Sequence, residues 1–530
     1  MSLAYFTCFL SRAKHLPWNA RSGRMAGLFA ATLLIAALRQ APEAWSVDKP
    51  PVPETGVYVG AHLFKDQTRI YEFNRLTGIR HAIYGEFIKF PEVLGQGGSA
   101  EEKQKLLDFV EKCRSAGALP LITLETFGGL SSFTVQEEAD FAELIGGLEI
   151  PVFLRWNHEM NGSWYPWGQQ PTLYINRFRE FAQIIRQQAS NAALVWTPNQ
   201  GWGYPWPGGA HEIQPGDPDF ALLDSNDDGT LTEEDDPYGP YYPGDAYVDW
   251  VGFSFYHWSN DPQKRGANEV PYPEKWAQAN GLGQGIPNFH DVFALGRGKP
   301  MIIAETSALY DPTDSLGGGA SEWNIKSMWI KEVYNLTDPA IARIDQAFPM
   351  LKAVCWFNQQ KYESEVSADI DWRLNSNPAL LEFYRQTLSD EYFKKAILEF
   401  ERVAIIQAPD TVFPGGKYLL EIEYQALERR DILVNLLNTE NDFEWHGGFA
   451  ITVEPGSGRI DAEIEVDDAP AGTGFVWDAI LVPSGQDWTQ TLDKEQKNVT
   501  VEQSPPLLPW GGASGGKDGG GCFIGVLDRG

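Results

Sequence analysis

IPVFLRWNHE (150–159), TLYINRFREFAQIIRQQAS (172–190) and ALVWTPNQ (193–200) follow one another as an apolar run, an amphipathic stretch and a second apolar run. In the middle stretch Tyr174, Phe178, Phe181 and Ile185 recur at three- and four-residue spacing, the period of a helix with one buried face. The flanking runs are apolar without clean alternation, as expected for parallel strands covered on both faces. The unit is strand, helix, strand.

The unit repeats in both directions. Before it lie GVYVGAHLF (56–64), HAIYGEFI (81–88) and LPLITLE (119–125); after it come VDWVGFSFYHW (248–258), KPMIIAETS (299–307) and MLKAVCWFNQ (350–359). Eight apolar runs alternating with helical patterns predict an α/β fold, a (β/α)₈ barrel over residues 50–397. A doubly wound sheet is the competing architecture, but the chain carries neither its glycine fingerprint nor a P-loop. From about Glu401 the texture changes. Short runs rich in Val, Ile and Phe, such as KYLLEIEYQA (417–426) and GFVWDAILV (474–482), are separated by Gly, Pro and Asp. They predict an antiparallel β-sandwich over 398–505, followed by a glycine-rich tail at 506–530.

Length agrees with two domains, since 530 residues exceed one compact core. The formal charge of −30 repels phosphate backbones and argues against nucleic acid as a partner. Nineteen tryptophans and twenty tyrosines are many, and flat aromatic faces suit sugar rings as well as cores. Arg21 and Arg24 precede an apolar segment, Ala26 to Leu38, too short to span a bilayer comfortably. Residues 1–44 therefore read as a secretory leader, and the processed chain as extracellular without stable membrane insertion.

Chemistry in such barrels sits at the C-terminal ends of the strands, and four glutamates fall there: Glu86, Glu125, Glu159 and Glu305. Burying unpaired carboxylates is costly, so their convergence calls for a use. Cleavage of a glycosidic bond uses two acids, one to protonate the departing oxygen and one to attack the anomeric carbon or activate water. Spacing alone does not choose two of the four. Glu159 has the richest setting, with Arg155, His158, Trp164 and Trp167 around it. Glu305 ends the seventh run, and Glu86 and Glu125 suit substrate hydroxyls or loop support. On the fifth run Asn199 is placed for substrate contact, and Trp196 serves either contact or core.

RWNHEMNGSWYPWG followed by KPMIIAETS resembles glycoside hydrolase family 26, over roughly residues 50 to 395. The resemblance implies a retaining glycosidase with acids on strands four and seven. It makes Glu159 the general acid/base, Glu305 the nucleophile and His158 a residue orienting the acids. It further makes Tyr256 the hydrogen-bond partner of the nucleophile, Trp356 the platform under the sugar and Trp164 a wall on the leaving-group side. The implied substrate is a β-linked polysaccharide, mannan first, with xylan or β-glucan as alternatives, and catalysis needs no cofactor. A non-catalytic polysaccharide-binding barrel is the reading of another class, and loss of either acid would have favoured it.

Two features lie outside that resemblance. DSNDDGTLTEED (224–235) follows an EF-hand loop, with Asp224, Asn226, Asp228, Thr230 and Asp235 at ligand positions and Gly229 at the turn. It predicts a structural Ca²⁺, with aspartate instead of glutamate at the last position weakening it. The sandwich reads equally as a carbohydrate-binding module, with Trp445, Trp477 and Trp488 as candidate stacking residues, or as a packing domain.

Overall fold

The computed structural model describes residues 48–63, 69–95, 100–261, 266–278, 287–314 and 319–503. The proposed leader at 1–44 and the tail at 506–530 lie outside the described residues.

Eight parallel strands close a barrel: β1 (Val57–His62), β2 (Ile83–Lys89), β3 (Leu119–Glu125), β4 (Val152–Trp156), β5 (Ala192–Trp196), β6 (Trp250–His257), β7 (Met301–Ala308) and β8 (Leu351–Phe357). Closure is by β1 against β8, from Tyr58 opposite Ala353 to His62 opposite Phe357. Alternation along each strand sorts the side chains into two populations. Tyr58, Ile83, Leu121, Phe153, Val195, Trp250, Ile302 and Cys355 fill the lumen. Val59, Tyr84, Ile122, Leu154, Leu194, Phe253, Ile303 and Trp356 face the helical shell.

That shell includes α1 (Ile70–Thr77), α2 (Ala100–Ala116), α3 (Val135–Gly146), α4 (Pro171–Gln188), α5 (Glu322–Val333) and α6 (Pro378–Thr387). The predicted face of α4 is buried, with Tyr174, Phe178, Phe181 and Ile185 all inaccessible. Thr134 and Glu137 start α3 with a reciprocal capping box, which satisfies two of the backbone donors every helix N-terminus leaves over.

After β8 the chain forms a hairpin, β9 (Gln360–Glu363) with β10 (Ala368–Asp371), and later the two-residue strand β11 (Phe393–Lys394) beside β1. The sandwich then follows. One sheet holds β12 (Arg402–Gln407), β14 (Lys417–Ala426) and β17 (Gly456–Glu465). The other is ordered β13 (Thr411–Val412), β19 (Asp493–Val501), β18 (Gly472–Pro483), β15 (Arg430–Asn438), β16 (Glu444–Val453). Every pair is antiparallel except β13 with β19. A separate apolar core, including Ile422, Val434, Ile464 and Trp477, joins the two sheets.

The sandwich is strapped to the barrel by buried charge. Arg430 pairs with Glu401 at 2.8 Å and with Glu111 of α2, and the backbone N–H of Glu401 donates to Ser115 at 2.7 Å. Glu401 and Arg430 are both buried, so removing Arg430 would strand the Glu401 charge away from water.

Candidate active site

The loop after β4 is held in an unusual backbone conformation. Asn157 and Glu159 both have positive φ, 45° and 54°, a region that costs non-glycine residues free energy. Hydrogen bonds to both neighbouring strand ends hold them there. Asn157 N–H donates to Leu124 at 2.9 Å, and its side-chain oxygen accepts from Thr126 N–H and Oγ1, each at 3.1 Å. Glu159 N–H donates to Thr197 O at 2.9 Å. The turn continues across Gly162, where a Cβ would lie 2.4 Å from the Trp164 ring, so only glycine lets that indole fold back. Trp164 Nε1 then donates to Glu159 Oε2 at 3.1 Å.

Glu305 reaches the lumen through a break in alternation. Ile303 pairs with Phe253 and Glu305 with Ser254, so Ala304 and Glu305 together stand against one step of β6. With strict alternation Glu305 would face outward like Ile303; the bulge turns it inward. Thr306 returns to the shell, where it accepts from Trp329 Nε1 at 3.0 Å. Tyr256 Oη donates to Glu305 Oε2 at 2.6 Å, and Arg155 Nη1 donates to Oε1. The guanidinium is fixed in turn by Thr197 at 2.6 Å and Ser254 at 2.7 Å.

The two carboxyls are held in opposite states. Burial alone would raise Glu305, but the Arg155 guanidinium, with His158, His62 and the Tyr256 hydroxyl, overrides it and holds it well below the usual carboxylate range. Burial lowers His62 and His158 and keeps both imidazoles neutral near pH 7, so Arg155 supplies the standing positive charge. Glu159, partly exposed, is pushed up to about 7, by burial first and then by the charge on Glu305. Glu125 is pushed up to about 7 by the same two causes in the same order. Glu305 is the ionised carboxylate, and Glu159 and Glu125 are the two raised acids at the same rim.

Several residues land elsewhere than the sequence suggested. Arg155 is fully buried and serves Glu305, not a substrate group and not Glu159. Trp167 is fully buried; it stacks on Tyr165 at 4.4 Å and donates to His158 O at 2.7 Å, supporting the loop from beneath. Trp356 is fully buried in the shell, opposite Thr306 in register, and donates to Trp372 O at 3.1 Å. It offers the sugar no face. One residue on, Phe357 takes the lumen side, 5.6 Å from Tyr256, because a single step along a strand exchanges the two faces. Trp196 is core, packed on Tyr242 and Phe289. Glu86 points out to α2, where Lys105 pairs with it at 3.2 Å, so three acids and not four share the rim.

His158 is buried between Phe87, Tyr165 and Trp167, and its Nδ1 has no partner among the described residues. Asn199 is partly exposed and bridges backbone to backbone with Ser254, level with Glu305. Sequence reasoning missed His62, Ser254, Thr197 and Phe357; counting every second residue to the strand ends would have found them. It also missed Trp206, which packs edge-on against Trp164 at 5.2 Å. The segment carrying it is tied down by Ser163 Oγ donating to Trp206 O at 2.6 Å and Gln169 Nε2 donating to Pro205 O at 3.0 Å.

In the loop 224–235, Asp224 and Asp235 are buried and accept N–H groups of the loop itself. Asp228 and Gly229 donate to Asp224, and Ser225 and Thr232 to Asp235. Among the described residues no group of three or more His, Cys, Asp or Glu side chains is arranged to hold a metal ion. No described helix is long and apolar enough to cross a membrane.

A family model described as glycosyl hydrolase family 26 matches residues 132–217, which contain Glu159, and a model described as porphyranase-associated domain matches 403–494. Endoglucanase H of Acetivibrio thermocellus is 26% identical over 245 residues, 45% of this chain and 20% of that protein. Beta-1,3-xylanase TXYA of a Vibrio species is 23% identical over 272 residues, 50% of this chain and 47% of that protein. The chain thus spans a fifth and about half the length of these curated relatives. The Bacillus subtilis mannanase BCman is 18% identical, with 59% of this chain and 82% of that chain covered and a TM-score of 0.32, too low to bear on function. The barrel is thus similar to glycoside hydrolase family 26 over residues 132–217, the segment that carries Glu159.

Proposed function

We propose that the chain is an exported retaining endo-glycosidase that hydrolyses β-1,4-mannosidic linkages of mannan-type polysaccharides by double displacement. The observation that carries the two-acid reaction is the opposed setting of the two carboxyls, with Arg155 and Tyr256 donating to Glu305 and holding it low while burial and the charge on Glu305 raise Glu159; retention follows from the family resemblance. Glu305 attacks the anomeric carbon while Glu159 gives its proton to the departing oxygen. Forming the ester removes the charge on Glu305, one of the two causes that raise Glu159. Glu159 then takes a proton from the incoming water, and the anomeric configuration is retained.

Mannan is the first polymer by the family resemblance. The relatives named endoglucanase and β-1,3-xylanase keep β-glucan and xylan beside it, and the porphyranase-associated model is the reason porphyran joins the panel. The test is reducing-end release on these polymers, with NMR of the first-formed anomer. Release of the retained anomer from mannan supports the proposal, release from another polymer moves the substrate, and an inverted product overturns the mechanism.

Export is part of the same proposal, on the basic and apolar pattern of the leader. So is Ca²⁺ at 224–235, on the oxygen-donor spacing of Asp224, Asn226, Asp228, Thr230 and Asp235. Calorimetric titration of chelator-treated protein with Ca²⁺ checks the latter, and a flat titration removes it.

A further inference from the structure

Trp445 is 55% exposed on β16, the edge strand of the five-stranded sheet, whereas nine of the sixteen tryptophans among the described residues are buried. Its position is built. The indole N–H donates to Asn435 Oδ1 at 3.2 Å across the β15–β16 pair. Gly448 stands opposite Asn435 in register, and a Cβ there would come within 3.0 Å of Trp445 Nε1. A side chain there would crowd the Asn435 oxygen, 2.8 Å from that Cβ, together with the ring, and disturb the bond between them. The pairing of β15 with β16 slips between Asn435 and Leu437, which turns the strand where Trp445 sits. Phe443, 54% exposed, lies two residues before it; with Asp442 it forms the centre of the tight turn between β15 and β16, at φ 57° and 48°, closed by Glu444 N–H donating to Asn441 O at 2.9 Å. The other exposed tryptophan of the domain, Trp488, is paired instead with Arg69 of the barrel at 5.9 Å, and Trp477 is core.

The rim around Trp445 selects the partner. Glu440, Asp442 and Glu444 precede it within five residues, and their one ion-pair partner among the described residues is His446, 3.5 Å from Glu444. A sulfated or uronate-bearing chain would be repelled. An uncharged pyranose has apolar C–H faces for a flat ring and hydroxyls for amide and carboxylate acceptors.

We infer that Trp445, with Phe443 and the Asn435 and Glu444 side chains, forms a binding site for a neutral polysaccharide chain, separate from the catalytic cleft. The inference rests on the proposed function only for the choice of polymers. One site of this kind raises the residence of the cleft on its substrate by effective concentration.

Native affinity electrophoresis of the full chain carrying Glu305→Gln, which spares the polymer, reads it directly. Gels contain mannan, β-glucan or xylan, or an anionic polymer such as alginate or carrageenan. At least one neutral polymer retards the protein, and adding Trp445→Ala weakens the apparent affinity at least about threefold. Trp445→Tyr keeps a ring and most of the retardation, and a thermal melt of both variants shows that the fold is retained. A Trp164→Ala arm reports binding in the cleft, so no weakening from that change, with the Trp445 effect intact, would count against the proposed function alone. Equal retardation with and without Trp445, retardation by the anionic polymers as strong as by the neutral ones, or none by any neutral polymer would overturn the inference.

Discussion

The ends of β4 and β7 each carry a glutamate, and the two are treated in opposite ways. Glu305 is taken into the lumen by a bulge and met by a guanidinium and a phenol. Glu159 stays on a tight loop, partly exposed, and receives one indole N–H. The same residue type therefore stands as a base at one strand end and as an acid at the other. The difference comes from what Arg155 touches: it lies on β4, the strand that leads to Glu159, yet its side chain crosses to Glu305. Chemistry at this rim is set by cross-strand partners more than by sequence neighbours.

Removing one end of the comparison gives the largest effect. Glu305→Ala abolishes the covalent step, and kcat falls by about 10⁴-fold or more on any substrate. Glu159→Ala costs about 10²–10⁴-fold in kcat on a polysaccharide. It costs much less on an aryl glycoside whose phenol leaves without a proton, and a stopped-flow burst on that substrate would show the ester accumulating. Equal losses on both substrates would contradict the acid role.

Arg155→Met attacks the difference itself. Breaking this buried pair destabilises the fold by roughly 3–5 kcal/mol, visible in urea unfolding. The sign of the pH effect follows from the causes. Without Arg155, burial raises Glu305, the ionised nucleophile is lost at higher pH than before, and the acid limb of kcat/KM moves up. Arg155 also lowers Glu159, so the alkaline limb, set by Glu159 near 7 in the parent, moves up with it.

Smaller effects sharpen the comparison along the cleft. Trp206→Ala, next to Trp164, should raise KM for polymer roughly three- to tenfold with little change for an aryl monosaccharide. The pair Phe357→Ala and Trp356→Phe tests which residue of β8 meets the sugar. The first should raise KM, and the second should lower the melting temperature and leave KM alone, since Trp356 is in the shell.

The barrel was legible because its signal is periodic. Eight apolar runs and a helix face such as Tyr174, Phe178, Phe181 and Ile185 need no tertiary knowledge. Glu159 was legible from the density of chemical groups beside it. What failed was everything that depends on a one-residue step. Trp356 and Phe357 differ only in which face of β8 they take, and the β1–β8 and β7–β8 registers decide that. Glu305 would have been assigned outward by alternation, because the bulge that turns it inward leaves no mark in KPMIIAETS. Arg155 looked like a partner for Glu159 because it is four residues away; strand geometry sends it across the lumen. Trp167 stood in the sequence among the groups around Glu159 and is the floor of the loop.

The central claim is that the charge on Glu305 helps keep Glu159 protonated, and a carbon-13 NMR titration of the Glu159 carboxyl tests it most directly. In the parent protein the resonance should titrate near 7, and in Glu305→Gln it should move down toward the ordinary carboxylate range. The same midpoint in both proteins, or a parent midpoint already in the ordinary range, would contradict the account.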